Sequence, residues 1–478
     1  MNKTFTKITA FVLLIILVSI PCISNAFSFT QINTGSSKYQ PILNKRYQGI
    51  NQYINYLQEF NSFVKGLDTS ASISDTKSAL SDKIDSLNDK YGSSSTAISG
   101  LSTKLLTEIM NSKATTSSDL ISSLTQLITS LGKNLNFSIE SLEPDKVIDS
   151  MEATTAGKLC GSKYQVQLSG KIYFAKKDKN GNPTSNKWVV LVHGFQMNGQ
   201  AMADAVGQMY LDQGINVFAP DLRGFGSSKG SVGMGYLESL DVWDWLTYLN
   251  ANYTCSEIFV HGVSLGGATT VFLSGLEVDG KTLSNQNVIG LIEDCGYTSM
   301  TGIVSDMLSE NSNNVILQKI LGIFGKTDLT EVITEDTIKT LIINVVDVGL
   351  TTENYDTLSN NLNSLAKCNL PLMIVHGTSD TTVPFKNSTE IYNAAIQNTK
   401  IPYIQRFTAD GESHAFIVLG NKENTYKAYV KEFISQSEKV KNGQTVNKDS
   451  NYTPSNVSDN TSSISKLVKA LKLIKNMI

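Results

Sequence analysis

Net charge, cysteine, proline and histidine are all scarce in this chain, and each shortage narrows what it can be. The 478 residues carry a formal charge of only -3, so no overall basic field points to a nucleic-acid partner. There are five cysteines, Cys22, Cys160, Cys255, Cys295 and Cys368, and their wide, irregular spacing does not suit a zinc site. Sequence cannot choose among the three pairings open to the last four, and buried free thiols are the simpler expectation. Beyond residue 20 no apolar run is long enough to cross a bilayer. With only four histidines, any imidazole chemistry is confined to four positions.

Lys3 and Lys7 precede an apolar run over 8–20, and Ser24-Asn25-Ala26 supplies small residues for cleavage. This pattern predicts a secretory signal peptide over 1–26, and hence a secreted or cell-surface protein. The run is short for a membrane anchor, and Pro21 suits lipoprotein processing at Cys22 poorly.

From residue 39 to about 137 the chain is rich in serine, and apolar residues recur at steps of three and four. Four such stripes are present: Tyr53, Leu57, Phe60, Val64; Leu80, Ile84, Leu87, Tyr91; Ile98, Leu101, Leu105, Ile109; and Leu120, Leu124, Leu127, Leu131. The period predicts an all-helical domain over 27–150, with serine on its outer faces and packing rather than propensity holding it together. Nothing in it suggests catalysis.

After Pro144 the texture changes to strands alternating with helices, the signature of a mostly parallel α/β sheet over 151–438. Short strands are expected at 164–168 and 171–175, then buried strands at 188–192, 215–219, 257–261, 288–293, 372–375 and 403–407. Helices are expected at 199–213 and 236–250. Between about 300 and 367 the rhythm lapses into helical sequence, which predicts a cap inserted above the carboxyl edge of the sheet. Residues 439–463, rich in Asn, Ser, Thr and Lys, read as a disordered linker. The last stretch, 464–478, sorts four lysines from Leu467, Leu471, Ile474, Met477 and Ile478 on a helical wheel. Such a helix suits either a membrane or cell-envelope surface or docking on the helical domain.

His261-Gly262-Val263-Ser264-Leu265-Gly266-Gly267 lies between the apolar run Ile258-Phe259-Val260 and a small-residue run that can open a helix. A serine between two glycines in that setting reads as a nucleophile elbow, with Ser264 on a strained turn. At this glycine and serine content, chance supplies about 0.3 such motifs, so the surroundings must decide. A serine hydroxyl needs a general base. His193, His261 and His376 each precede a glycine at a strand end and read as loop supports. His414, in Gly411-Glu412-Ser413-His414, is free to reach over the sheet and is the candidate base. Asp380, in the turn after the strand at 372–375, is the preferred carboxylate; Asp294 is the alternative. The N–H groups of Leu265 and of Phe195, which follows His193-Gly194, are candidate oxyanion donors.

Six segments stand in order: His193-Gly194-Phe195, 221–228, the Ser264 elbow, 293–297, His376-Gly377-Thr378-Ser379-Asp380 with Val383-Pro384, and the His414 loop. Over about 164–436 the chain resembles the α/β-hydrolase superfamily, in particular bacterial secreted or membrane-associated esterases and acyl-peptidases. The resemblance implies Ser264 as nucleophile, His414 as base, Asp380 as acid, and Phe195 and Leu265 as oxyanion donors. It also implies a structural turn at 221–228, and it covers neither the helical domain nor the tail. No metal or cofactor is called for. The expectation is a secreted serine esterase acting on a small-molecule or peptide acyl substrate. A serine peptidase, an acyltransferase for envelope acceptors, and a non-catalytic envelope-binding protein are the alternatives.

Overall fold

The computed structural model describes residues 56, 59–60, 62–91, 96–133, 142–195, 197–310, 334–415, 417–419, 422–455, 457 and 459. The signal peptide and the cationic helix at 464–478 lie outside them. The described residues fall into two units, 56–133 and 142–459. No described helix is long and apolar enough to cross a membrane.

The first unit contains α1 (Ile73–Tyr91), α2 (Thr96–Asn111) and α3 (Ser117–Lys133). Their periodic apolar positions converge: Leu80, Ile84 and Leu87 of α1 meet Leu105 and Ile109 of α2 and Leu120 and Leu124 of α3. Tyr56, Phe60 and Val64 complete this core. Serine is not confined to outer faces. Ser117 is buried, where it takes a 2.8 Å hydrogen bond from Thr76 and returns one of 2.8 Å to the Ala71 carbonyl.

The second unit is built on an eight-stranded sheet ordered β1-β2-β4-β3-β5-β6-β7-β8. The strands are β1 (Lys146–Ala153), β2 (Val166–Tyr173), β3 (Lys187–Val192), β4 (Asn216–Pro220), β5 (Glu257–Val263), β6 (Val288–Asp294), β7 (Leu372–Gly377) and β8 (Ile404–Ala409). Pairing from β4 through β8 is parallel; β2 runs antiparallel to both β1 and β4. Every residue of β5, β6 and β7 is buried, as expected of parallel strands covered on both faces.

Two sequence expectations change here. The two short strands at 164–168 and 171–175 are largely one, β2, preceded by a short 3-10 turn. Gly170 lies inside it without turning the chain: a Cβ there would come within 2.8 Å of the Phe218 ring. β1 was not foreseen because it is a partly exposed edge strand whose polar sequence hides its role.

The main helices of this unit are α4 (Tyr236–Asn252), α5 (Leu265–Ser274), α6 (Met300–Glu310), α7 (Glu335–Leu341), α8 (Lys386–Gln397) and α9 (Glu423–Lys441). Among the described residues between β6 and β7 there is no strand; α6, α7 with its continuation over Ile342–Val346, and two short helical turns occupy the interval. Met300, Ile338, Ile342, Val348, Leu350 and Tyr355 from this insertion pack on Phe272 of α5.

The turn after β4 is tied down by polar groups. Asp221 accepts from the Gly199 and Ser227 N–H groups at 2.8 and 2.9 Å. The buried Arg223 forks onto Asp241 of α4 at 2.7 and 2.6 Å. Leaving either charge of such a pair alone costs about 3–5 kcal/mol.

The disordered linker expected at 439–463 is corrected over its described residues. Helix α9 runs to Lys441, and the chain then lies along β8: Ile404 N–H donates to the Lys448 carbonyl at 2.6 Å and Ser450 N–H to the Ile404 carbonyl at 2.9 Å. β8 is an open sheet edge, and backbone pairing needs no apolar pattern in the segment that covers it. Cys160, Cys255, Cys295 and Cys368 are free thiols.

The strand–helix junction at Ser264 has almost no spare space. A Cβ at Gly262 would lie 1.9 Å from the Gly266 carbonyl oxygen, and one at Gly266 only 2.0 Å from that of Val192. These are backbone obstacles that cannot rotate away. Gly266→Ala is expected to lower stability by about 3 kcal/mol or more, read from the urea midpoint; a variant as stable as the parent would contradict this packing.

Candidate active site

Ser264 sits between β5 and α5 with φ 59° and ψ -116°, a strained conformation for a residue with a side chain. Its N–H donates to the Asp294 carbonyl at 2.8 Å, which ties the turn to the end of β6. The turn projects the hydroxyl beyond the carboxyl edge of the sheet.

His414 comes from the loop after β8. That loop lies flat on the end of β7, because Gly377 has no side chain to hold it off; a Cβ there would be 2.2 Å from the Glu412 carbonyl oxygen. Ser379 N–H donates to that same oxygen at 3.0 Å. The two loops thereby bring their side chains together. His414 Nδ1 is 2.7 Å from Asp380 Oδ2, and His414 Nε2 is 2.8 Å from Ser264 Oγ. A carboxylate accepts, so Nδ1 carries the proton and Nε2 is left with a lone pair facing the hydroxyl. The three residues the sequence selected are within hydrogen-bond reach in the order Ser264, His414, Asp380.

Asp380 is buried and accepts from many donors. Its Oδ1 takes the Thr382 and Val383 N–H groups, each at 2.9 Å. Its Oδ2 takes His414 and also lies 3.1 Å from His376 Nε2. Burial alone would raise its pKa, but the two imidazoles and the Val383 N–H outweigh this and bring it down to about 2. It is a carboxylate at any pH near neutrality. The contact with His376 escaped the sequence reading, which took that residue as a loop support. The four-residue step from His376 to Asp380 across a tight turn was the available signal.

Asp294, the alternative carboxylate, is directed elsewhere. Its Oδ2 accepts from Tyr426 Oη at 2.8 Å, and Tyr426 Oη lies 2.9 Å from His261 Nε2. Because Tyr426 donates to Asp294 it must accept from His261, whose Nδ1 then accepts from Tyr210 Oη at 2.9 Å. This buried chain secures the strand ends behind the elbow. Burial lowers the pKa of His261 to about 3 and raises that of Asp294 to about 6.

Phe195 and Leu265, the expected oxyanion donors, each follow directly on a residue at this junction. Gly194 lies so close that a Cβ there would sit 3.3 Å from Ser264 Cβ, and Leu265 opens α5. The Gly194 carbonyl is held by His193 Nδ1 at 2.7 Å and by the Met197 N–H at 3.2 Å. In a trans peptide this turns the Phe195 N–H the opposite way. His193 Nε2 accepts from the Leu222 N–H at 2.9 Å, and burial lowers its pKa to about 4, so it stays neutral as the bonding requires. Among the described residues, one cluster of metal-ligating side chains is found, Cys295 with Asp380 and His414. Two of its three members are already bonded to each other.

A family model described as serine aminopeptidase, S33, matches residues 183–407. The match spans β3 to the middle of β8 and stops before His414, and the mostly parallel eight-stranded sheet of the second unit has the α/β-hydrolase fold. Among curated proteins, two multifunctional-autoprocessing repeats-in-toxin proteins are similar over 173 residues, one from Vibrio vulnificus at 28% identity and one from Vibrio cholerae at 27%. In each case the match covers 36% of this chain but only 3% and 4% of the respective toxin. Among solved structures, an esterase from Pyrococcus furiosus is 21% identical with TM-score 0.43, covering 63% of this chain and 94% of that one. Est1E from Butyrivibrio proteoclasticus with ferulic acid bound is 17% identical with TM-score 0.39, covering 60% and 99%.

Glu293, one residue before Asp294 on β6, is fully buried; its Oε1 accepts from the Gly296 N–H at 2.5 Å. Burial raises its pKa from 4.5 to about 8. The folded state therefore holds a proton that the unfolded state releases, and Glu293 weakens the fold as pH rises from the unfolded value towards about 8. Glu293→Gln is expected to reduce this loss, so that the difference in Tm between pH 5 and pH 8 narrows relative to the parent; an unchanged difference would show that Glu293 is ionised in the fold.

Proposed function

We propose that this protein is an exported serine hydrolase that cleaves carboxylic esters through an acyl-enzyme on Ser264. The observation that supports this most strongly is the continuous set of contacts from Ser264 Oγ through His414 to Asp380, at 2.8 and 2.7 Å. In this reading His414 Nε2 takes the Oγ proton as Oγ attacks the ester carbonyl. Asp380 stabilises the imidazolium, and the Phe195 and Leu265 N–H groups receive the oxyanion. His414 then returns the proton to the departing alkoxide. Water attacks the acyl-enzyme by the same route in reverse, releasing the acid and restoring the Ser264 hydroxyl.

An ester is favoured over a peptide because three buried carboxylates of this unit, Glu238, Asp241 and Asp294, are engaged by the protein's own groups. Glu238 caps the Gly233 and Gly235 N–H groups at 2.6 and 2.7 Å, Asp241 holds Arg223, and Asp294 holds Tyr426. A peptidase acting at a free amino terminus requires a carboxylate to meet the substrate ammonium. The description of the matching family as a serine aminopeptidase favours that second reading. Export rests on the sequence of residues 1–26, and envelope contact on residues 464–478.

The wild-type chain is expected to hydrolyse a short-chain p-nitrophenyl ester and to be labelled at Ser264 by a fluorophosphonate. Ser264→Ala is expected to lose both while unfolding at the same temperature. Faster turnover of an aminoacyl p-nitroanilide than of the ester would favour the peptidase, and a wild-type chain with no covalent adduct would favour a binding protein. Asp380→Asn, which leaves the imidazole without its anionic partner, is expected to lower kcat by about 10⁴-fold. A loss below tenfold would remove Asp380 from the assignment.

A further inference from the structure

The triad carboxylate serves two imidazoles, and only one of them touches the serine. His376, fully buried at the end of β7, directs Nε2 at two acceptors, the Val383 carbonyl at 2.8 Å and Asp380 Oδ2 at 3.1 Å. Both contacts require the proton on Nε2. Its Nδ1 is then a bare lone pair, buried and without a partner among the described residues. Glu293 Oε2, on the neighbouring strand β6, is also buried without a partner. A second proton can therefore be added to His376 at Nδ1 without breaking either contact made by Nε2. The charge of this imidazole can change while the position of Asp380 is held.

We propose that His376 is a positioning residue of the triad: it competes with His414 for the charge on Asp380 Oδ2 and so sets the pH below which His414 ceases to act as base. This rests on the serine-hydrolase reading above. A protonated His376 places a positive charge 3.1 Å from the oxygen that stabilises the His414 imidazolium. With that oxygen partly neutralised, His414 gives up its proton more readily and remains a competent base to lower pH. The ionisable groups acting on it are Glu293 and Asp294 on β6 and Asp380 on the turn after β7; the paired strand β8 carries Arg406, and the loop after it Asp410, Glu412 and His414. Arg406 stacks on the Phe385 ring at 5.4 Å, and that ring meets His376 edge-on at 5.8 Å. Burial works against charging His376, but its contacts with Asp380 and the Val383 carbonyl outweigh it, and its pKa is raised.

The test measures the second-order rate at which a fluorophosphonate labels the full chain as a function of pH, with Ser264→Ala as the control. His376→Gln keeps a neutral N–H donor of similar reach but cannot be charged, and His376→Phe removes donor and charge together. Circular dichroism and thermal unfolding establish which variants are folded; if His376→Phe is not, His376→Gln decides. The midpoint of the acid limb is expected to move up by about one pH unit in His376→Gln, and at least as far in a folded His376→Phe. A folded His376→Gln whose midpoint stays within about 0.2 pH unit of the parent, with only the overall rate scaled, would overturn the proposal and leave His376 a purely structural residue. Absence of labelling in the wild type is a different result: it removes the serine-hydrolase reading itself, and this proposal with it.

Discussion

Everything at the candidate site depends on how closely three backbone segments approach one another at Ser264. The chain leaves β5, reverses at a positive φ, and enters α5 directly, with the ends of β3 and β6 pressed against the reversal. The strain at Ser264 is of order 1–3 kcal/mol and persists only because the surroundings over-determine the turn. The glycines at 262, 266 and 267 make this possible by being absent in volume: each faces backbone at a distance no Cβ could occupy. The reward of that packing is a hydroxyl held on a rigid support, presented to a histidine 150 residues further along the chain.

A second constraint is electrical. Four imidazoles stand at or near strand ends, and three of them are completely buried. His193 and His261 have both ring nitrogens matched to donors or acceptors, which fixes their tautomers, whereas His376 is held through Nε2 alone. His193 orients the Gly194–Phe195 peptide, His261 carries a hydrogen-bond chain to Asp294, and His376 leans on Asp380. Only His414 is partly open to solvent, with its side chain 17% exposed, and it is the one that meets the serine. The carboxylates divide in the same manner. Burial outweighs the single N–H that Glu293 accepts and pushes it upward to about 8, whereas several donors draw Asp380 down to about 2. Two neighbouring acids, one on β6 and one on the turn after β7, thus differ at neutral pH: Glu293 is protonated and Asp380 is ionised.

Much of this was legible in the residues. The apolar runs of β3 and β5 through β7 announced buried parallel strands, since a strand covered on both faces needs no alternation. The Gly-x-Ser-x-Gly spacing located the elbow, and scarcity of histidine reduced the search for a base to four positions. Less visible were features whose signal lies in the partner rather than the segment. β1 is polar because one of its faces is wet, and the chain after α9 is polar because it joins the sheet through backbone bonds. Gly170, expected between two short strands, lies inside one strand and faces Phe218.

The sequence by itself determined the alternation of strands and helices, the helical character of the first unit, and the identity of the candidate site residues. These are local properties: periodicity, turn chemistry and residue type are all written within a few positions of one another. Which carboxylate faces His414, and which histidine shares that carboxylate, were decided only when β6, β7 and β8 lay side by side. Asp294 and Asp380 follow similar strands with similar turns, and nothing local distinguishes them. Tyr426, from a helix more than 100 residues away in sequence, claims the first and leaves the second for the site. Hydrogen-bond partners are a property of neighbours in space, and the chain specifies those only by folding.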